Sequence, residues 1–564
     1  MDLVTPLGFR DILPAEARER EAIAREVATL FDARGYRPIE TPTLEVMDVL
    51  QMGARSVLSP FKFFDARGDL LAMRPDVTVQ IARMVATRFS QVEGSLKLRY
   101  QQRVFREAVP EMLSAAREQT QVGLELIGQA GPAADAEVVR LFCEALALAG
   151  VRGYTLGLAT VGVLQALLQR SGAPLQWQQQ VRAAFHSSNF VELERLTNSQ
   201  NPPQDVDSSG LAPVFAQAIR RLPSIRGGLE AIAELRELVA PLGCEADLDD
   251  FEATCRALEG LPGQPRLLVD FSLIGSPDYY TGILFSAYSP DLGSAVGGGG
   301  RYDSMMAAFG CPRPAAGFAF ALEDAMAAAS GASAAEGAAA PRRPLRVAVP
   351  KGALHKDAVA VLEAAGLNVE GLLNPGRALI VSNPGVDYII VRPSDAPAFV
   401  ALGAADCGIC GKDSLLEANS DVVELEDLHF GACRFVVAMP AGAQEAADER
   451  YRRLGSIRVA TKYPRITGAH FAKTGMQVEI VQLHGNIELA PLTGMAECIV
   501  DITATGATLR ENNLEVTEEV LGSTARFFAN PAALRTDERI GPLARALAGA
   551  TAGVTFEAIA GQPQ

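Results

Sequence analysis

Cysteine is scarce in this chain: eight in 564 residues, with no pairing pattern in their spacing. That excludes a small disulfide-built scaffold and points to a reducing setting. Tryptophan is scarcer still, with Trp177 alone. The five histidines, His186, His355, His429, His470 and His484, are scattered and form no nucleophile–histidine–acid pattern. No uninterrupted apolar run is long enough to cross a bilayer. The opening residues, MDLVTPLGFRDILPAEARER, carry acids at once and no apolar stretch of signal-peptide length. The expectation is a cytoplasmic chain, neither exported nor inserted in a membrane. Positive charge is also in deficit. Lys plus Arg is 51 against 67 Asp plus Glu, a net charge of −16, which opposes a broad nucleic-acid footprint.

What is present is ample apolar content, 48% of the residues, in a chain too long for one core. Residues 327–344 read AAASGASAAEGAAAPRRP. That composition predicts a linker between residues 1–326 and 345–564. The alternative, an Ala-rich surface helix, is disfavoured by Gly331, Gly337 and Pro341. After the linker, short β-rich runs alternate with helical periodicity: LRVAVP (345–350), YIIVRP (388–393), FVVAMP (435–440), IRVATKY (457–463), VEIVQLHG (478–485) and ECIVDITATG (497–506). This predicts two α/β lobes, 345–440 with a C-terminal segment and 452–525, crossing between Pro440 and Arg452, with a ligand cleft between them. The first half reads as α+β. A helix ends at Gly35, LKLRYQQRVFRE and QTQVGLELIG suggest an antiparallel sheet, and residues 170–265 are mainly helical.

DITATGATLREN (501–512) is a strand that ends in a small-residue turn and opens a helix. Such a turn presents backbone N–H groups to an anion, with Thr505 and Thr508 adding hydroxyls and Gly506 allowing close approach. Asp501 is placed to meet ribose hydroxyls or a metal. An ordinary strand–turn–helix with a threonine cap explains the local pattern equally well. No Gly-Lys-Ser/Thr follows, so this is not a nucleoside-triphosphatase loop. Cys407-Gly-Ile-Cys410 has redox or zinc spacing, but no second ligand pair accompanies it. Two thiols beside a buried strand is the better reading.

Residues 345–540 resemble the short form of ATP phosphoribosyltransferase, the first enzyme of histidine biosynthesis. The resemblance rests on RVAVPKG (346–352), GAADCGICGKDSLLE (403–417), HFGACRFVVA (429–438), RVATKYP (458–464), HGNIELAPLTG (484–494) and the 501–512 loop. It implies a two-lobed fold like that of periplasmic binding proteins. It also implies that Thr505, Gly506, Ala507 and Thr508 hold the 5′-phosphate of phosphoribosyl pyrophosphate, and that Asp501 and Glu488 line the ribose pocket. Lys351, Gly352, Arg377 and Arg392 would serve ATP, the two arginines also assisting catalysis. Magnesium would accompany the substrate phosphates, with no protein ligand assigned. One departure stands out: the family's Lys-Gly-Arg is here Lys351-Gly352-Ala353.

Residues 1–325 resemble the class II core of histidyl-tRNA synthetase. The carriers are TPTLE (41–45), MRPDVTVQIAR (73–83), RYQQRVFRE (99–107), REQTQVGLELIG (117–128), DYYTGILF (278–285) and GGGRYD (298–303). Two cations of that family are missing, replaced by Gly275 and Asp324, and the linker stands where the anticodon-binding domain is expected. The resemblance therefore implies a regulatory relative that has lost aminoacylation but keeps a histidine pocket of Asp76, Arg106, Gln121, Glu125, Tyr279 and Tyr280. Together the two resemblances imply a homo-oligomeric fusion of a histidine-sensing half with a transferase. The competing readings are a tRNA ligase, a solute-binding protein and a catalytically weak regulator.

Overall fold

The computed structural model describes residues 4–53, 60–107, 116–198, 203, 205–275, 279–335, 343–504 and 506–551. They divide into two compact units. The first is Met1–Pro341 with Pro531–Asp537, and the second is Arg342–Asn530 with Glu538–Gln564.

The first unit is built on a nine-stranded sheet. Its spatial order is Arg37–Pro38, Leu96–Phe105, Glu118–Ile127, Ala315–Ala321, Ala295–Arg301, Ile283–Tyr288, Thr155–Thr160, Arg266–Asp270, Arg226–Gly227. The centre is antiparallel, with Leu98 opposite Glu125 and Gly317 opposite Glu125 on the other side. Helices Pro14–Ala33 and Pro132–Leu148 lay apolar faces on it, where Phe31, Phe142, Phe285 and Phe318 meet as tilted and edge-on rings. The span 170–265 is largely helical, and buried Trp177 donates its indole N–H to the Leu196 carbonyl at 2.9 Å. Segment Pro531–Asp537 also contributes to this unit. Arg535 lies 3.3 Å from the fully buried Asp270 and donates to Ser272 at 3.0 Å.

The linker expectation is corrected over its first part. A helix runs Leu322–Ala335, with Ala325 and Ala328 buried in the core. A Cβ on Gly331 would come within 2.6 Å of Asp291 Cγ. Composition misled because alanine, which has little to bury, allows a helix to approach a sheet closely. The rest of the expected linker, 336–342, lies outside the described residues.

The second unit holds two sheets. One is six-stranded: Ile380–Asn383, Val386–Val391, Leu345–Pro350, Cys407–Gly411, Ala525–Ala529, Val423–Asp427. The other is five-stranded: Val478–Gln482, Ile457–Thr461, Cys498–Thr503, Cys433–Pro440, Leu514–Ser523. The expected lobe boundary is therefore corrected. Cys433–Pro440 belongs to lobe two, and Gln444–Leu454 is a helix within that lobe. The chain crosses between lobes at 428–432 and returns through Thr524. The cause is pairing: Cys433–Pro440 runs antiparallel between Cys498–Thr503 and Leu514–Ser523. The cysteines of the Cys407–Cys410 pair are both buried and not disulfide-bonded, and burial pushes the Cys410 thiol well above its usual range. Among the described residues no group of three or more His, Cys, Asp or Glu could hold a metal ion, and no helix is long and apolar enough to cross a membrane.

Candidate functional site

In lobe two the strand Cys498–Thr503 buries Cys498, Ile499 and Val500 and carries Asp501 in its half-buried second half. The following turn is tight. Gly506 has φ +70°, a left-handed conformation suited to glycine, and its N–H donates to Thr503 Oγ1 at 2.8 Å. The helix Ala507–Glu511 follows, with Ala507 and Thr508 exposed at its start. Thr505 lies outside the described residues. Burial pushes the Asp501 carboxyl up to about 6. A hydrogen bond from the Ile502 N–H opposes that rise, the nearby Glu488 adds to it, and Lys462 counteracts it. Glu488 and Lys462 are therefore near enough for their charges to act on Asp501. Lys462 was not among the expected site residues, although it lies inside the RVATKYP segment.

Lobe one supplies cations at the carboxyl edge of its parallel strands, the usual ligand edge of such sheets. Lys351 and Gly352 follow Leu345–Pro350, and Arg392 follows Val386–Val391; all three are exposed. The Lys351 N–H donates to the Val391 carbonyl at 2.8 Å, which sets these two positions side by side. Arg377 is exposed in the turn entering Ile380–Asn383, whose Ile380 pairs with Ile389, so it stands at the same edge. Ala353 is exposed there too.

The first unit contains an acidic pocket. Glu125 is buried on the central strand, accepts from Thr78 Oγ1 at 2.9 Å and from the Tyr302 hydroxyl at 2.5 Å, and has Tyr100 beside it. Burial pushes its carboxyl up to about 8, against the lowering effect of these hydroxyls and with help from the charge of Asp76. Asp76 is raised in turn by burial, against a Val79 N–H bond and the charge of Arg106. The Tyr279 and Tyr280 rings lie tilted with centroids 4.8 Å apart, and Tyr279 meets Tyr302 edge-on at 6.2 Å. Gln121 accepts from the Val77 N–H at 3.2 Å, and Arg106 Nε donates to the Pro75 carbonyl at 3.2 Å. The structure thus gathers Asp76, Glu125 and both expected tyrosines, with Gln121 and Arg106 bonded to the Pro75–Val77 backbone at the rim. Thr78, Tyr100 and Tyr302 join them without having been singled out. Each stood inside a quoted motif, but only tertiary packing, of a helix start, a strand and a strand end, brings them together.

Glycines make the room. A Cβ on Gly317 would sit 1.7 Å from Glu125 Oε2, one on Gly123 would meet the Tyr100 hydroxyl at 2.5 Å, and one on Gly300 would meet the Tyr280 ring at 2.8 Å. Nearby, a cleft of about 700 Å³ is lined by Arg10, Arg20, Arg103, Glu118 and Glu323 among others. Its cations are paired: Arg20 with Glu323 at 2.5 Å and Arg103 with Glu118 at 2.6 Å. Asp324 follows Glu323 and accepts from Gln119 at 3.2 Å; burial, then Glu323, pushes its carboxyl up to about 6.

Comparison with known proteins follows the same division. A family model for histidyl-tRNA synthetase matches residues 8–325, and one for ATP phosphoribosyltransferase matches residues 392–549. The ATP phosphoribosyltransferase of Rubrobacter xylanophilus is 51% identical over 193 residues, 34% of this chain and 89% of that protein. The ATP phosphoribosyltransferase regulatory subunit of Moorella thermoacetica is 37% identical over 325 residues, 57% of this chain and 81% of that protein. A crystal structure of an ATP phosphoribosyltransferase regulatory subunit/histidyl-tRNA synthetase from Bacillus halodurans superposes with a TM-score of 0.52 at 26% identity. It covers 69% of this chain and 93% of that one.

Proposed function

Because the chain belongs to the histidyl-tRNA synthetase family over its first unit and to the ATP phosphoribosyltransferase family over its second, we propose that lobe two holds the phosphoribosyl group and lobe one the ATP. The enzyme joins ATP to phosphoribosyl pyrophosphate, the first step of histidine biosynthesis. N1 of the adenine donates its lone pair to ribose C1, the bond from C1 to the pyrophosphate oxygen breaks, and pyrophosphate leaves with that pair. The observation that carries the division of labour is the Gly506 turn, opening beside the Asp501–Glu488 pair.

In this reading the backbone and hydroxyls of 505–508 hold the 5′-phosphate, while Asp501 and Glu488 face the ribose hydroxyls. The raised carboxyl of Asp501 suits that contact, since two adjacent acids accept hydroxyl donors or a cation more readily than they tolerate each other. Lys351, Arg377 and Arg392 stabilise the charge that builds on the leaving pyrophosphate. Three cations at one edge supply the charge that Ala353 does not. Magnesium carried on the substrate phosphates would add charge neutralisation, with no protein side chain assigned to it.

The first unit would sense histidine. Two carboxyls held up by burial favour an ammonium or imidazolium ligand, which relieves both. The tyrosines give flat apolar walls. Glu118, Glu323 and Asp324 neutralise or replace the cations that a triphosphate would need, so amino-acid activation is not expected. Self-association into a homo-oligomer is part of the same reading and is checked by light scattering.

The decisive assay mixes ATP, phosphoribosyl pyrophosphate and magnesium with and without histidine. Phosphoribosyl-ATP formation that histidine inhibits is the expected result. Inhibition curves for Glu125→Ala and Tyr279→Ala should shift to much higher histidine with the uninhibited rate near normal. Curves identical to wild type would place the sensor elsewhere, and histidine-dependent pyrophosphate exchange would restore a ligase reading.

A further inference from the structure

GAADCGICGKDSLLE ends in Glu417, a residue that neither substrate pocket uses. Glu417 lies in the helix Lys412–Ala418 of lobe one, yet its carboxylate is bonded to lobe two. Arg465 N–H donates to Glu417 Oε1 at 3.0 Å and Ile466 N–H to Oε2 at 3.1 Å. Arg465 Nε also donates to the Glu417 carbonyl at 3.2 Å. The helix so engaged, Pro464–Thr474, has no side-chain cap of its own at Tyr463. Its first-turn N–H groups are the ones a helix leaves unsatisfied, and a carboxylate there also meets the positive end of the helix dipole. The cap of a lobe-two helix has thus been placed on lobe one.

The opposite end of Lys412–Ala418 is tied to the crossing between lobes. Lys412 N–H donates to the Thr524 carbonyl at 3.0 Å, Asp413 N–H to Ser523 Oγ at 3.2 Å, and Ser523 Oγ to Asp413 Oδ1 at 2.8 Å. One short helix therefore spans from the hinge to a point on lobe two away from it. That point is close to the chemistry: Pro464 follows Lys462 and Tyr463, and Lys462 acts on Asp501. Two crossings alone, 428–432 and Thr524, leave the angle between lobes free to vary. A third attachment away from that axis fixes it.

We propose that Glu417 is a positioning residue for phosphoribosyl transfer, a clasp that sets the angle at which lobe-one cations meet the lobe-two phosphate pocket. The proposal rests on the division of labour above. It requires that loosening the clasp harm the reaction, which needs both lobes, and spare the binding of a ligand that needs lobe two alone.

The test uses the full chain with Glu417→Ala and Glu417→Gln. Ribose 5-phosphate titrated by calorimetry reports lobe two, and turnover with both substrates reports their alignment. The expected result for Glu417→Ala is a fall in kcat of about tenfold or more, with ribose 5-phosphate affinity within about twofold of wild type. Spin labels on the two lobes should show a broader distance distribution. Glu417→Gln, which keeps one acceptor on an arm of the same length, should fall between, and it decides the matter if the alanine variant does not fold. Unchanged kcat, or an equal loss of ribose 5-phosphate affinity, would overturn the clasp. A wild-type chain that does not bind ribose 5-phosphate would instead overturn the reading on which it rests.

Discussion

Glu125 is the residue where burial has the clearest consequence for protonation. Its carboxyl titrates at about 8 in the folded chain against 4.5 in a free one, so the folded state holds the proton longer. Below about pH 4.5 both states are protonated and the shift has no effect. Between there and about pH 8 folding stability falls as pH rises, and above that the full penalty remains. Glu125→Gln should flatten this trend and melt higher than wild type at alkaline pH, as a set of thermal melts across that window would show. A cationic ligand must ionise the group, so histidine binding near pH 7 should release up to about one proton. Calorimetry in buffers of differing ionisation heat measures that release; none would contradict a contact between Glu125 and a charged ligand. In lobe two, Gly506→Val would force a branched side chain into φ +70° with the Arg510 guanidinium 3.0 Å from its Cβ. Phosphoribosyl pyrophosphate affinity should fall by about a hundredfold, a loss of ~3 kcal/mol that one to two strained or displaced phosphate contacts would explain.

Elements show where pattern reading succeeds and where it stops. The strand runs quoted from the sequence coincide with strands in both units, because alternation and β-branched content act locally. The boundary between lobes was misplaced because Cys433–Pro440 looks the same in either sheet; only its two partners decide which it joins. The helix Leu322–Ala335 was hidden by small residues whose value lies in close approach. Likewise Thr78, Tyr100 and Tyr302 carry no local signal of a pocket, since only the packing of a helix start, a neighbouring strand and a strand end around Glu125 brings them together. Gly317 has its meaning at this scale. On a central strand, Gly317→Ala would meet Glu125 Oε2 at 1.7 Å and the Leu124 carbonyl at 2.5 Å. Urea unfolding should show a loss of about 2 kcal/mol or more, with histidine binding abolished. Arg535→Ala should cost about 3 kcal/mol in the first unit by leaving buried Asp270 with only the 3.7 Å Arg226 contact and Ser272. A denaturation midpoint like wild type would show that those two suffice.

For the molecule as a whole, the chain leaves the six-stranded sheet after Asp427 and returns at Ala525, and the two ends of the intervening segment face each other, Cys433 opposite Ser523. Lobe two is therefore a cassette inserted into a host sheet. Its ends are already closed, so little loop entropy separates the host with the insert from the host without it. Residues 433–523 made alone should fold, with ribose 5-phosphate binding and circular dichroism as the readouts. A host chain with a short turn in their place should keep its own sheet, with no transferase activity. On the proposed division of labour, such a cassette could be exchanged for one of different ligand preference while the cation edge of the host is left intact, which would make the sugar phosphate and the nucleotide separable specificities along one polypeptide.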